Sequence, residues 1–129
     1  MSSAGEIRQQ IELVEEAYEY MLAYAAQGRA DEGAGPDGAQ IRTFLTQFSN
    51  ANAVLADATQ ALAGLNVEAA AFIEGFERES AVVTSVLKIM LAGDNVSSEV
   101  VDNANGLIAM RAYLTSLFFI DKAILPKGV

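Results

Sequence analysis

The chain has 129 residues, of which 17 are acidic and 8 are basic, and it contains no His, Cys or Trp. Catalytic triads, ordinary zinc sites and haem ligation depend on His or Cys, so these absences exclude most nucleophilic and metal chemistry. Any catalysis would have to use carboxylates, Lys, Arg, Tyr or hydroxyl groups. The net charge of −9 argues against nucleic acid as a partner, because phosphate binding needs a basic surface.

A chain of this length, with 52% hydrophobic residues, is expected to fold as a single domain over residues 1–129. The N-terminal residues lack the basic region and apolar run of a secretory signal. The longest apolar stretch, 112–125, is too short to span a membrane and includes Asp121 and Lys122. We therefore expect a cytoplasmic protein without a membrane span, and the lack of Cys is consistent with a reducing compartment.

Apolar residues recur at alternating steps of three and four along four segments, a spacing that places them on one face of a helix. In the first segment these residues are Ile7, Ile11, Val14, Tyr18, Met21 and Ala25. The pattern predicts four helices, at about 6–27, 38–63, 67–92 and 98–125. Because short connections make successive helices antiparallel, the sequence predicts an all-α protein, specifically an up-down-up-down antiparallel four-helix bundle.

Residues that favour helix ends agree with this division. Asn66 and Ser97 stand where the third and fourth helices begin, and their side chains are suited to accept from the first free backbone N–H groups. Residues 28–38 form the one long connection and contain four of the ten glycines. They are predicted to be a flexible acidic surface loop. Gly75 and Gly106, inside the predicted helices, suggest sites where helices approach closely.

The carboxylates are the one group of residues whose pattern suggests a chemical function. The first helix carries Glu12, Glu15, Glu16 and Glu19, and an E-x-x-D pair, Glu99 and Asp102, begins the fourth. The stretch from Glu15 to Glu19 resembles the EExxE half of the motif with which all-α nucleotide pyrophosphohydrolases bind Mg²⁺. The resemblance implies a Mg²⁺-dependent hydrolase of a nucleotide or other phosphorylated small molecule. Its candidate metal ligands are Glu15, Glu16, Glu19, Glu99 and Asp102. The same glutamates equally fit the solvated face of an amphipathic helix.

The fourth helix has more apolar surface than one bundle position requires. Beside the main apolar face, which includes Leu107, Leu114 and Phe118, runs a second apolar stripe. A helix on the outside of a bundle cannot bury every side, and surplus apolar surface usually marks an interface. The predicted interface residues are Tyr113, Leu117, Phe119, Ile120 and Ile124. Arg111 and Asp121 interrupt the main face, so we expect each to reach solvent or an opposite charge on a neighbouring helix.

The main hypothesis is a non-enzymatic acidic helical interaction module, a small adaptor or chaperone-like protein that forms a homodimer and needs no cofactor. Self-association and a protein partner are expected, and nucleic acid is not. Two alternatives stay open. One is the Mg²⁺-dependent hydrolase, and the other is a carrier that holds a small apolar ligand among the aromatic and Met side chains between the helices.

Overall fold

The computed structural model describes residues 3–33 and 40–126, which form helices and no β-strand. The helices are α1 (Ala4–Ala26), α2 (Gln40–Ala58), α3 (Val67–Ala92), α4 (Ser98–Gly106) and α5 (Ile108–Phe119). A 3₁₀ segment, Thr59–Gly64, extends α2, and a π-helical turn, Ile120–Ile124, extends α5. The predicted all-α class is therefore confirmed. None of the helices described is both long enough and apolar enough to cross a lipid bilayer.

The polar residues expected at helix ends act as predicted. The Asn66 side chain accepts a hydrogen bond from the backbone N–H of Ala69 at 2.8 Å, and Ser97 caps α4 in the same way. Gly28 follows the end of α1 with a φ of 65°, a left-handed conformation that costs Gly little. Residues 34–38 of the predicted loop, including Asp37, lie outside the described residues.

The single helix predicted at 98–125 is wrong, because the chain breaks at Leu107. This residue has φ −64° and ψ 135°, an extended conformation that ends α4 and begins α5. Gly106 is the last residue of α4, and a Cβ added there would meet nothing within 4 Å. Gly106 therefore does not serve a close approach of helices. Its low helix propensity is instead consistent with a helix end at this position.

The helices pack against one another in pairs. α1 packs against α2 and α4, α2 also packs against α3, and α3 packs against α5. Buried apolar side chains from all five helices belong to one core cluster. At its centre the Tyr113 ring lies between Phe76, at 5.4 Å between ring centroids, and Phe48, at 6.0 Å. The two short helices α4 and α5 together thus provide the core residues that were expected from one long helix.

Polar side chains in the core fall into two groups. Asn52 on α2 donates to Thr84 at 2.8 Å and accepts from the Ser80 hydroxyl at 2.7 Å, which links α2 to α3. By contrast, the Tyr113 hydroxyl and the Asn105 side-chain amide are buried without a hydrogen-bond partner within residues 3–33 and 40–126. Burial also raises the pKa of the Tyr113 phenol, so the group stays protonated.

Replacing Tyr113 with Phe removes a buried hydroxyl that makes no hydrogen bond to any described residue, and we expect the free energy of unfolding to rise by about 1 kcal/mol. Tyr24 is the matched control, because this residue is also almost wholly buried and its hydroxyl donates to the Val96 carbonyl at 2.6 Å. Tyr24→Phe should lower the free energy of unfolding by about 1–3 kcal/mol. Urea denaturation of both variants measures the difference, and equal destabilisation by the two substitutions would contradict the assignment.

Candidate interaction site

The predicted interface stripe is mainly core. Tyr113, Leu117 and Ile120 are 0%, 1% and 0% exposed, so they cannot contribute to a surface of the folded chain. Their placement on an outer face is therefore wrong. The buried side of α5 and of the π-helical turn after it also includes Leu114, and Arg111 and Asp121 lie outside it. Phe119 does lie at the surface, at 50% exposed, and Ile124 is partly buried.

Phe118, assigned by the periodicity to the core, is 47% exposed. It lies over a groove between α1 and the C-terminal half of the chain, which we call the α1–α5 groove. Two continuous depressions of about 340 and 130 Å³ make up this groove and share Glu15 and Phe118. The residues that line it are Arg8, Ile11, Glu12, Glu15, Tyr18, Glu19, Leu114, Phe118, Asp121 and Lys122.

An ion pair closes one end of the α1–α5 groove. The Arg8 Nε lies 2.6 Å from Asp121 Oδ1, and its Nη2 donates to the Asp121 backbone carbonyl at 3.1 Å. Lys122 Nζ lies 3.6 Å from the same carboxylate. The hydrogen bond from Arg8 holds the pKa of Asp121 below its usual value. Asp121 therefore finds an opposite charge on a neighbouring helix, one of the two outcomes expected from the sequence.

Glu15 lies in the middle of this groove in an unfavourable environment for a carboxylate. Partial burial raises its pKa, and the negative charges of Asp121, Glu12 and Glu19 raise it further. Lys122 opposes this effect. Within the described residues Glu12, Glu15 and Glu19 form no salt bridge. The groove therefore combines apolar side chains with a row of glutamates that forms no salt bridge in the described part of the chain.

A second groove lies on the other flank of α5, and we call it the Phe119 groove. Its volume is about 250 Å³, and the rings of Phe72 and Phe119 meet across it at a centroid distance of 5.0 Å. The groove is lined by Leu65, Asn66, Glu68, Ala69, Phe72, Phe119, Ala123 and Ile124. Among the described residues Glu68 is the only charged one in this lining, so the two grooves differ in electrostatic character.

The five residues predicted as Mg²⁺ ligands are not brought together. Glu15 and Glu19 line the α1–α5 groove, whereas Glu16 accepts a hydrogen bond from Gln47 on α2. Glu99 and Asp102 lie beside the C-terminal end of α1, in a depression that includes Ala25. That residue is ten positions after Glu15, or about 15 Å along the helix. No group of three or more acidic residues in the described part of the chain is arranged to hold a metal ion.

A network that the sequence did not predict connects residues 28–33 to the rest of the protein. The Glu32 carboxylate accepts from Arg42 at 2.7 Å and from the backbone N–H of Val96 at 2.7 Å. Arg42 also donates to the carbonyl groups of Leu91 and Gly93, which end α3. These bonds, which we call the Glu32–Arg42 clamp, hold the pKa of Glu32 below its usual value. Its partners are far apart in the sequence, so no local spacing could have revealed them.

Comparison of the chain with protein families, with curated proteins and with solved structures finds no match.

The electrostatic coupling inside the α1–α5 groove predicts a specific titration. Asp121→Asn should lower the pKa of Glu15, because the substitution removes a nearby negative charge and leaves Arg8 and Lys122 free to stabilise the Glu15 carboxylate. Carboxyl carbon chemical shifts followed against pH by NMR measure this pKa directly. Glu68→Gln in the Phe119 groove is the control and should leave it unchanged. An unchanged or raised Glu15 pKa in Asp121→Asn would contradict the coupling.

The Glu32–Arg42 clamp predicts how stability depends on pH. The folded-state pKa of Glu32 lies below the value of 4.5 expected of an unfolded chain, so its contribution is complete above that pH and is lost as pH falls through the folded pKa. At about pH 6, Glu32→Gln should lower the free energy of unfolding by about 1–3 kcal/mol, and the deficit should shrink towards about pH 3.

Denaturant titrations at several pH values test this expectation. Glu74→Gln provides the matched control, because its ion pair with Arg78 is largely exposed to solvent. Exposed pairs contribute about 0–1 kcal/mol, so that variant should differ little from the wild type at any pH. A Glu32→Gln deficit that does not change with pH would show that the charge of Glu32 is not what stabilises the fold.

Proposed function

We propose that this protein is a non-enzymatic acidic interaction module that acts as a small adaptor and forms homodimers. The observation that carries the proposal is the pair of adjacent phenylalanines at the end of α5. Phe118 and Phe119 are each about half exposed, and each lies over a different groove. Large aromatic side chains gain much free energy when they leave water, so a pair of exposed rings beside grooves favours a binding surface.

The proposal includes the arrangement of the helices as an antiparallel up-down-up-down bundle. In this arrangement α4 and α5 together occupy the fourth position. Its support is that α4 packs against α1 while α5 packs against α3, and that α2 packs against both α1 and α3. The break at Leu107 lets the two short helices pack against different neighbours.

Charge favours the Phe119 groove as the surface of self-association. Two copies of a chain with a net charge of −9 repel each other, so they are expected to meet where the charge density is lowest. Counted over residues 3–33 and 40–126, the lining of the Phe119 groove contains one charged residue, Glu68, whereas the α1–α5 groove contains several. A two-fold axis near Phe119 would place the same apolar surface on both sides of the interface.

Neither alternative has an observation in its favour. The hydrolase needs carboxylates that converge on a metal ion, and in the described part of the chain the five candidates do not converge. A carrier of an apolar ligand needs a large, mainly apolar pocket that encloses it. The grooves described above are open to solvent, and the larger ones are lined in part by charged side chains. We therefore propose an interaction module without catalytic activity.

The proposal predicts a dimer that depends on Phe119. The wild type should sediment as a dimer at micromolar concentration, and Phe119→Ser should shift it to a monomer because it removes an aromatic side chain from the interface. Phe118→Ser is the matched control, since this neighbour is exposed to a similar degree on the other flank of α5. Circular dichroism checks that both variants fold. A monomeric wild type, or a Phe119→Ser variant that stays dimeric, would overturn self-association at this surface.

A further inference from the structure

We propose that the α1–α5 groove binds a basic amphipathic helix of a partner protein. The inference rests on the proposed function, because it assigns to the interaction module its partner surface and the class of partner. It uses a different surface from the Phe119 groove, so the two proposals can fail separately. Three properties of the groove support it, namely its length, its unneutralised charge and its exposed aromatic side chain.

The length of the groove along α1 suits a short partner helix. On α1 the lining residues run from Arg8 to Glu19, eleven positions that span about 17 Å. This length corresponds to about three turns of a partner helix. The apolar part of the lining consists of Ile11 and Leu114, which are almost wholly buried, of Tyr18, and of the half-exposed ring of Phe118. Recognition of a helix in such a groove typically uses apolar residues of the partner at three- and four-residue spacing.

The charge of the groove selects a basic partner. Glu12, Glu15 and Glu19 follow one another at steps of three and four along one face of α1, so their carboxylates form a row. The nearby cations, Arg8 and Lys122, both lie against Asp121. The row of glutamates is therefore left without a salt bridge in the described part of the chain. Lys or Arg side chains at the same spacing on a partner helix would supply the missing charges.

Phe118 provides an apolar contact at the middle of the groove. Its ring is about half exposed and borders both depressions, beside Glu15. Aromatic residues at the centre of an interface commonly contribute a large share of the binding energy. A partner that carried only positive charge would leave this ring in water. The combination of Phe118 with the glutamate row therefore favours a helix with one apolar face and flanking Lys or Arg.

The same features argue against other occupants. A second copy of this chain would bring two rows of glutamates together, which opposes close contact. Nucleic acid and anionic lipid surfaces carry the same sign of charge as the groove and would be repelled. A metal ion lacks a suitable ligand set, because no cluster of three acidic residues within residues 3–33 and 40–126 can hold one.

The probe is a synthetic peptide of about 20 residues, composed of Leu and Lys in a pattern that forms one apolar and one basic helical face. Fluorescence anisotropy of the labelled peptide with the full chain should give a Kd of about 1–10 µM at low salt. Affinity should fall at least about tenfold between about 0.05 M and 0.5 M NaCl, because salt screens the charge pairs. A Leu/Glu peptide and a Ser/Lys peptide of the same length should bind at least about tenfold more weakly.

Two substitutions locate the site. Phe118→Ser and the double variant Glu15→Gln/Glu19→Gln should each weaken binding of the Leu/Lys peptide by about tenfold or more. The controls are Phe119→Ser, which alters the other groove, and Glu99→Gln/Asp102→Asn, which removes the same number of charges elsewhere. Both controls should bind as the wild type does. Thermal unfolding confirms that all four variants are folded.

Several results would overturn the proposal. These are no binding of the Leu/Lys peptide, equal binding of the Ser/Lys or Leu/Glu peptide, or equal losses in the Glu15/Glu19 and Glu99/Asp102 variants. Loss of dimerisation in Phe118→Ser would show that a second copy occupies the groove and would also overturn it. A monomeric wild type that still binds the Leu/Lys peptide through Phe118 would contradict self-association alone. A dimer that does not bind the peptide would contradict only the inference about the partner.

Discussion

The charges of Arg111 and Asp121 favour burial of the opposite side of α5 and of the π-helical turn that follows it. Both residues lie on the face that the heptad spacing assigns to the interior. Burial of either charge without a partner would cost about 3–5 kcal/mol, which is the usual cost of breaking a buried ion pair. The protein instead buries the uncharged face that contains Tyr113, Leu117 and Ile120. Arg111 stays exposed, and Asp121 lies at the edge of the core against Arg8.

Both grooves lie beside the buried face of α5. Once the uncharged face is buried, Phe118 and Phe119 are left on the two flanks of α5, and each ring borders a depression against a different helix. Phe118 faces the glutamates of α1, whereas Phe119 contacts Phe72 of α3. One constraint in the core thus separates a charged groove from an almost neutral one. The two surfaces suit different partners because their electrostatic character differs while their aromatic residues are alike.

The sequence predicted the helical class and the helix ends that depend on local chemistry, such as the caps at Asn66 and Ser97. It failed where the outcome depended on contacts between distant residues. Two apolar stripes run along the last helices, and periodicity alone does not show which of them is buried. The desolvation cost of Arg111 and Asp121 was present in the sequence and would have favoured the correct stripe. The Glu32–Arg42 clamp had no such signal, because its partners meet only after α1, α2 and α3 have packed.

Hydrogen bonds attach α1 to the rest of the protein near both of its ends. Near the C-terminal end of α1, Ser98 donates to the Tyr24 carbonyl, and Arg29 exchanges hydrogen bonds with Ser98. Near the N-terminal end, Arg8 joins α1 to Asp121. The glutamate row lies between these two attachments on a helix that is bound at both ends. A partner that binds there would lose little free energy to ordering of the groove, because its α1 wall is already in place.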